Sequence, residues 1–175
     1  MSSTPSWDLF IILFFVVGMA YGFILQREKI VVTMVSIYVA LVVTAVLSNP
    51  TLLFFQGDKT ILNQIWVRAN TTPFTVQTGI FVAIIILLSA KSGITGAKGK
   101  GVLSPIELFG YSFLSTALIL SSIFSFLPPE TKTNIMNTSK FANMIVHYHG
   151  WWVVLPVVLL VVTGLRGRRN SSSED

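Results

Sequence analysis

The sequence predicts an all-α integral membrane protein with four to five transmembrane helices and two interfacial amphipathic helices. Three observations carry this reading. Of 175 residues, 53% are hydrophobic and 11% charged, and the mean hydropathy is +0.75, a balance that suits lipid better than water. Long apolar runs recur at 7–25, 30–47, 74–90 and 105–127. At about 1.5 Å per residue these runs match the roughly 30 Å hydrocarbon layer of a bilayer. The net charge of +5 sits in the connectors and the tail, a membrane-surface pattern. No basic patch is interleaved with aromatics on a polar segment, so nucleic acid is not an expected partner.

The first run is broken only by Asp8, and the polar tetrad Gln26-Arg27-Glu28-Lys29 returns the chain into the second run. So short a connector predicts an antiparallel hairpin. No Lys or Arg precedes Trp7, so the first run lacks the basic start of a cleaved signal peptide and is expected to be retained. Gly18 and Gly22 stand four apart on one helical face, the G-x-x-x-G spacing that lets helices approach closely in lipid. Thr33, Ser36, Ala40 and Thr44 form a narrow small-residue stripe on the second run. The expected docking surface is therefore Gly18 and Gly22 against Ser36, Ala40 and Thr44. Glycine-rich spans are also common without any such motif.

Ser48-Asn49-Pro50 is expected to stop the second span. The residues at 59–67 have helical apolar spacing and predict a short interfacial helix, with Trp66 as anchor and Arg68 facing headgroups. Pro73 opens the third span and Lys91 closes it. The glycine-rich connector at 91–101 does not place G-x-x-x-x-G-K-[ST] after a strand, so it reads as a solvated basic loop and not a nucleotide site.

Ser104-Pro105-Ile106-Glu107 has the grammar of a capping box with proline at the first helical position. Glu107 therefore has a structural explanation, while a carboxylate beside a span also invites a proton-relay reading. Asp8 is the other charge open to a functional role. The fourth span carries Gly110, Ser112, Ser115, Thr116, Ser121, Ser122 and Ser125. Their hydroxyls can return hydrogen bonds to the backbone and serve helix contacts, and a polar lumen is the alternative.

Pro128-Pro129 ends the fourth span, and Phe141, Met144, Ile145 and Tyr148 predict a second interfacial helix. An aromatic cluster around His147 and His149 leads into a fifth, shorter apolar segment at 153–165 that contains Pro156. Two residues apart, the histidines diverge by about 200° on a helix, which does not suit a shared metal. With no cysteine and few, scattered acids, neither enzyme activity nor a cofactor is expected.

One domain is expected over 1–165, followed by a basic and then disordered tail over 166–175. Five spans with the amino terminus outside put Arg27, Lys29, Lys91, Lys98, Lys100, Arg166, Arg168 and Arg169 inside. Lys59, Arg68, Lys132 and Lys140 fall outside. Eight against four favours a cytoplasmic carboxyl terminus. Arg166, Arg168 and Arg169 are then placed to meet anionic headgroups, and a membrane-protein partner or a second copy is a further expectation.

Asp8 ahead of an apolar run, Gly18 and Gly22, the Gly22-Phe23 step into a short basic turn, the returning span, Pro128-Pro129 and Ser139 together resemble the colicin V production protein family. The resemblance implies a small, non-enzymatic, multi-span bacterial inner-membrane protein associated with peptide-toxin production or export and with envelope maintenance. A small transporter or channel subunit, or a scaffold in a larger membrane complex, are the competing expectations.

Overall fold

The computed structural model of the protein describes residues 6–24, 27–55, 72–91 and 105–171. They form seven helices: α1 (Trp7–Ile24), α2 (Arg27–Phe55), α3 (Pro73–Lys91), α4 (Pro105–Phe126), α5 (Pro129–Thr138), α6 (Lys140–His147) and α7 (His149–Ser171). There is no strand among the described residues. Four of the helices, α1 to α4, are long and apolar enough to cross a membrane, as a multi-pass membrane protein requires.

Local chemistry explains where the spans start. The Ser6 hydroxyl accepts from the Leu9 amide, and the Thr72 hydroxyl accepts from the Thr75 amide. Each satisfies one of the amide donors that a helix leaves free in its first turn. Pro73 opens α3 and Pro105 opens α4, positions where the missing N–H costs nothing.

The bundle is centred on α4. Of its apolar stretch 61% is buried inside the protein, against 11% for α1 and α3. Helices α1, α2, α3, α6 and α7 all pack on it. A helix enclosed on every side must meet its neighbours at every angle. This explains hydroxyls around the whole circumference of α4: Ser112, Ser115, Thr116, Ser121 and Ser122 are all buried. Ser112, Thr116 and Ser122 donate to the carbonyls of Leu108, Ser112 and Leu118 at 2.8, 2.8 and 2.6 Å, so their polarity is neutralised within the helix.

The central position of α4 corrects the expected hairpin. Helix α1 packs on α4 and α6 instead of running along α2, whose main partners are α3 and α4. A Cβ added to Gly18 would collide with Thr116 Oγ1, and one added to Gly22 with Ser112 Oγ. Both glycines therefore exist for the close approach of α4. The Ser36, Ala40 and Thr44 stripe is buried as well, but on a different seam. Ala40 packs with Ile37, Phe81 and Leu118 at the junction of α2, α3 and α4, while the Ser36 hydroxyl donates back to Val32 O at 2.8 Å. Two small-residue faces on consecutive helices thus each found a third helix, where the bare backbone of α1 meets short hydroxyl side chains.

Three further boundaries differ from expectation. Helix α2 runs through Pro50 to Phe55. One missing amide and a local clash do not end a helix whose remaining backbone groups have no water to turn to. The region after Pro128 holds two short helices, α5 and α6, separated at Ser139, whose backbone is extended (φ −129°, ψ 124°). In α6 Ala142 and Ile145 face the bundle, whereas Phe141, Met144 and the C-cap residue Tyr148 are exposed. Helix α7 continues past the expected end at Leu165, through Arg166, Arg168 and Arg169, to Ser171. The side chains of those arginines, and with them the headgroup contact expected there, lie outside the described residues. So do the interfacial helix at 59–67, the connector at 92–101 and Ser104.

Helices α6 and α7 meet at Tyr148 with a bend of 64°. Helix α7 is held to the bundle by hydroxyls. Tyr38 donates to Val153 O at 2.6 Å, in the same turn where Pro156 cannot donate to Trp152. Tyr111 bonds to the Thr163 hydroxyl, and Thr163 in turn donates to Leu159 O at 2.9 Å.

Candidate functional site

The arrangement of α1 leaves a cleft. Because α1 leans on α4 and diverges from α2 and α3, a cavity of about 480 Å³ opens between them, with α4 as its floor. Gly18, Tyr21 and Gly22 form one wall, Ile30, Thr33, Ile85 and Ile86 the other, and Ser112, Ser115 and Thr116 the floor. Tyr21 and Ile86, on opposite walls, are 54% and 60% exposed, so the cleft opens sideways between α1 and α3. Beyond Ile119 the bundle is filled by apolar side chains, Ile37, Ala40, Phe81 and Leu118 in one group and Ile11, Leu120, Phe124, Ile135, Ala142 and Ile145 in another. Among the described residues the cleft lining ends at Ile119, and beyond it Thr44, Ser121 and Ser122 are buried between these apolar groups.

The floor hydroxyls are not equivalent. Ser112 and Thr116 are bonded to their own helix and covered by the glycine face of α1. Ser115 Oγ is buried and has no hydrogen-bond partner, with the residue 6% exposed. An unmade hydrogen bond at a buried hydroxyl costs on the order of 1–3 kcal/mol; Thr44 Oγ1, Thr78 Oγ1 and Trp152 Nε1 share that condition, and Ser115 differs from these three in lining the cleft. Lys29, at the mouth and exposed, is the one charged side chain among the described residues that line the cleft. It belongs to the first turn of α2, whose amide end adds partial positive charge to the same region.

The two charges singled out in the sequence lie elsewhere. Asp8, in the first turn of α1, accepts from Ser139 Oγ at 2.5 Å and from the Phe141 amide at 3.4 Å. Ser139 is the N-cap of α6, its hydroxyl accepting from the Ala142 amide at 3.0 Å. The carboxylate thus completes the cap of a distant helix and gains from that helix's positive end. Glu107 is half-buried in the first turn of α4, away from the cleft lining. His149 Nδ1 lies 2.6 Å from Ser121 Oγ, and His147 stacks edge-on against Tyr148 at 5.0 Å between centroids. Among the described residues no cluster of three or more His, Asp or Glu could hold a metal ion.

Sequence reasoning singled out Gly18 and Gly22 but not the cleft they border. It named Ser115 only as one of several hydroxyls on the fourth span and Lys29 only as a connector charge, without bringing them together. The available signal was the clustering of hydroxyls on α4 without a matching polar face on any single neighbour. Comparison with protein-family models, with curated proteins and with solved structures finds no match to this chain.

Proposed function

We propose that this is a non-enzymatic, multi-pass membrane protein that receives an amphipathic, membrane-resident ligand in the cleft between α1 and α3. The observation that carries this reading is Ser115, a buried hydroxyl without a partner on the floor of a cleft that opens sideways. A ligand arriving from the bilayer meets a mostly apolar lining with a few hydroxyls, Thr33, Ser89, Ser112, Ser115 and Thr116, the usual economy of a small-molecule site. The eight-to-four count of Lys and Arg along the sequence supports an inner-membrane orientation with the amino terminus outside and the end that carries Lys29 and Lys91 inside, because cytoplasmic ends carry the excess of Lys and Arg.

A second reading, kinship with the colicin V production proteins, is favoured by one contact. Asp8 and Ser139, two of the residues on which the resemblance rests, form a hydrogen bond. On that reading the protein serves toxin production or export and envelope maintenance in a bacterial inner membrane.

Native mass spectrometry of protein extracted in mild detergent tests the ligand reading. Wild-type protein is expected to retain a bound amphiphile of lipid mass. Ser115→Leu, which fills the floor with an apolar group, is expected to lose it. Wild-type protein that is bare under the same conditions, or that carries a constant protein partner instead, would favour the scaffold class.

A further inference from the structure

The cleft has a direction. Gly22, Ser112 and Ile30 stand at one level, since a Cβ on Gly22 would touch both Ser112 Oγ and the Ile30 Cδ1 atom. Lys29 is the neighbour of Ile30 on the side of the α1–α2 turn. Ser115 lies three residues farther along α4 than Ser112, about 4.5 Å deeper at helical rise. From mouth to floor the cleft therefore offers a cation with a helix amino-terminal end, then a hydroxyl donor, and then the apolar side chains of Ile85, Ile86 and Ile119.

Resting on the ligand reading above, we infer that the cleft selects an anionic phospholipid, with the phosphate at Lys29 and an ester carbonyl accepting from Ser115 Oγ. Each part of the order matches that molecule. The phosphate is the outermost charged group of the lipid, and Lys29 is the one charged side chain among the described residues that line the cleft. The ester carbonyls lie below the phosphate and only accept hydrogen bonds, and Ser115 is a buried donor without a partner. The acyl chains begin there, and from that depth the walls are isoleucine. A zwitterionic lipid presents the same carbonyls and chains but brings its own cation to the mouth, where it meets Lys29 and the positive end of α2. Selectivity therefore comes from Lys29 and retention from Ser115. A free phosphate ion would engage only the mouth.

The test is lipid retention by the purified full chain, measured by native mass spectrometry after exchange into equimolar phosphatidylglycerol and phosphatidylcholine of equal chain length. Wild-type protein is expected to favour phosphatidylglycerol by about fivefold, the scale of one lysine near an anionic surface. Lys29→Gln should bring the ratio close to one without emptying the cleft, and Lys29→Arg should keep the preference. Ser115→Ala should lower retention of both lipids while leaving their ratio unchanged. Millimolar inorganic phosphate should displace neither lipid. If it does displace them, the site recognises free phosphate and the lipid assignment is wrong. Equal retention of the two lipids by wild-type protein overturns the anionic selectivity, and a preference unaffected by Lys29→Gln overturns its assignment to Lys29, each while leaving a lipid-binding cleft in place. No retention of either lipid overturns both readings.

Discussion

Ser139 Oγ donates a 2.5 Å hydrogen bond to Asp8 Oδ1, joining the first turn of α1 to the N-cap of α6 across 131 positions of sequence. The contact closes the bundle at the end opposite the cleft mouth, and beneath it Ile11 packs with Ile135, Ala142 and Ile145. An acid that sequence logic marks as a candidate for chemistry thereby becomes a fastener.

Removing either partner should loosen that end. Asp8→Ala leaves the Ser139 hydroxyl and the Phe141 amide without their acceptor and should cost about 1–3 kcal/mol. Ser139→Ala also removes a cap and should cost a similar amount. Because the two share one bond, the double variant should be less damaged than the sum by at least about 0.5 kcal/mol. Thermal unfolding in detergent measures the cycle, and strict additivity would show that the contact contributes nothing.

The glycine face has an assigned partner, so its substitutions can be rescued selectively. Gly22→Ala drives a methyl group into Ser112 and should cost about 1–3 kcal/mol. Ser112→Gly should recover part of that loss, whereas Ala40→Gly, on the other seam, should recover none. Gly79 has open space around its Cα, and Gly79→Ala should be neutral or stabilising by up to about 1 kcal/mol. Equal melting shifts for Gly22→Ala and Gly79→Ala would remove the α1–α4 seam.

Helix α7 depends on hydroxyls from α2 and α4. Tyr111→Phe should cost about 1 kcal/mol and raise hydrogen exchange in α7 more than in α1 or α3. Tyr38→Phe should add to it. Exchange that rises uniformly through the bundle would mean that α7 is not a separately attached element.

Orientation is checked with single cysteines in a chain that has none. Cysteine at Thr133, exposed on α5, should react with a membrane-impermeant maleimide added outside intact cells. Cysteine at Lys91 should react only after permeabilisation. Labelling of both from outside would contradict a bundle whose two ends face opposite compartments.

The four long spans were legible in the sequence because a bilayer demands about twenty apolar residues in a row, and little else produces such runs. Helix ends at Pro73 and Pro105 were legible for the same local reason, a proline in the first turn. Partner choice was not. Gly18 and Gly22 announce a close approach, yet small residues occur on both α2 and α4, and helical spacing cannot say which of them arrives. Pro50 misled because the rule that proline stops a helix comes from water, where an open backbone is solvated. The two small helices after Pro128 were half legible. The Phe141, Met144, Ile145 and Tyr148 spacing fixes a helix but not the break at Ser139 that separates it from α5. For the cleft, Ser115 could not be told from Ser112 or Thr116 until their neighbours were known.

The late position of α4 in the chain bears on how the protein is made. Helix α1 enters the membrane with its glycine face bare, and Ser112 and Thr116 are not yet synthesised. At roughly 5–20 residues per second the wait is on the order of ten seconds. During that interval the first three spans have no central post. A chain arrested after Lys91 would keep Gly18 and Gly22 against lipid, where nothing distinguishes them from an orphaned subunit awaiting a partner. Ribosome stalling or truncation within the α3–α4 connector should therefore yield a product that is inserted but short-lived, recognised by membrane proteases through an unfilled seam and not through exposed charge.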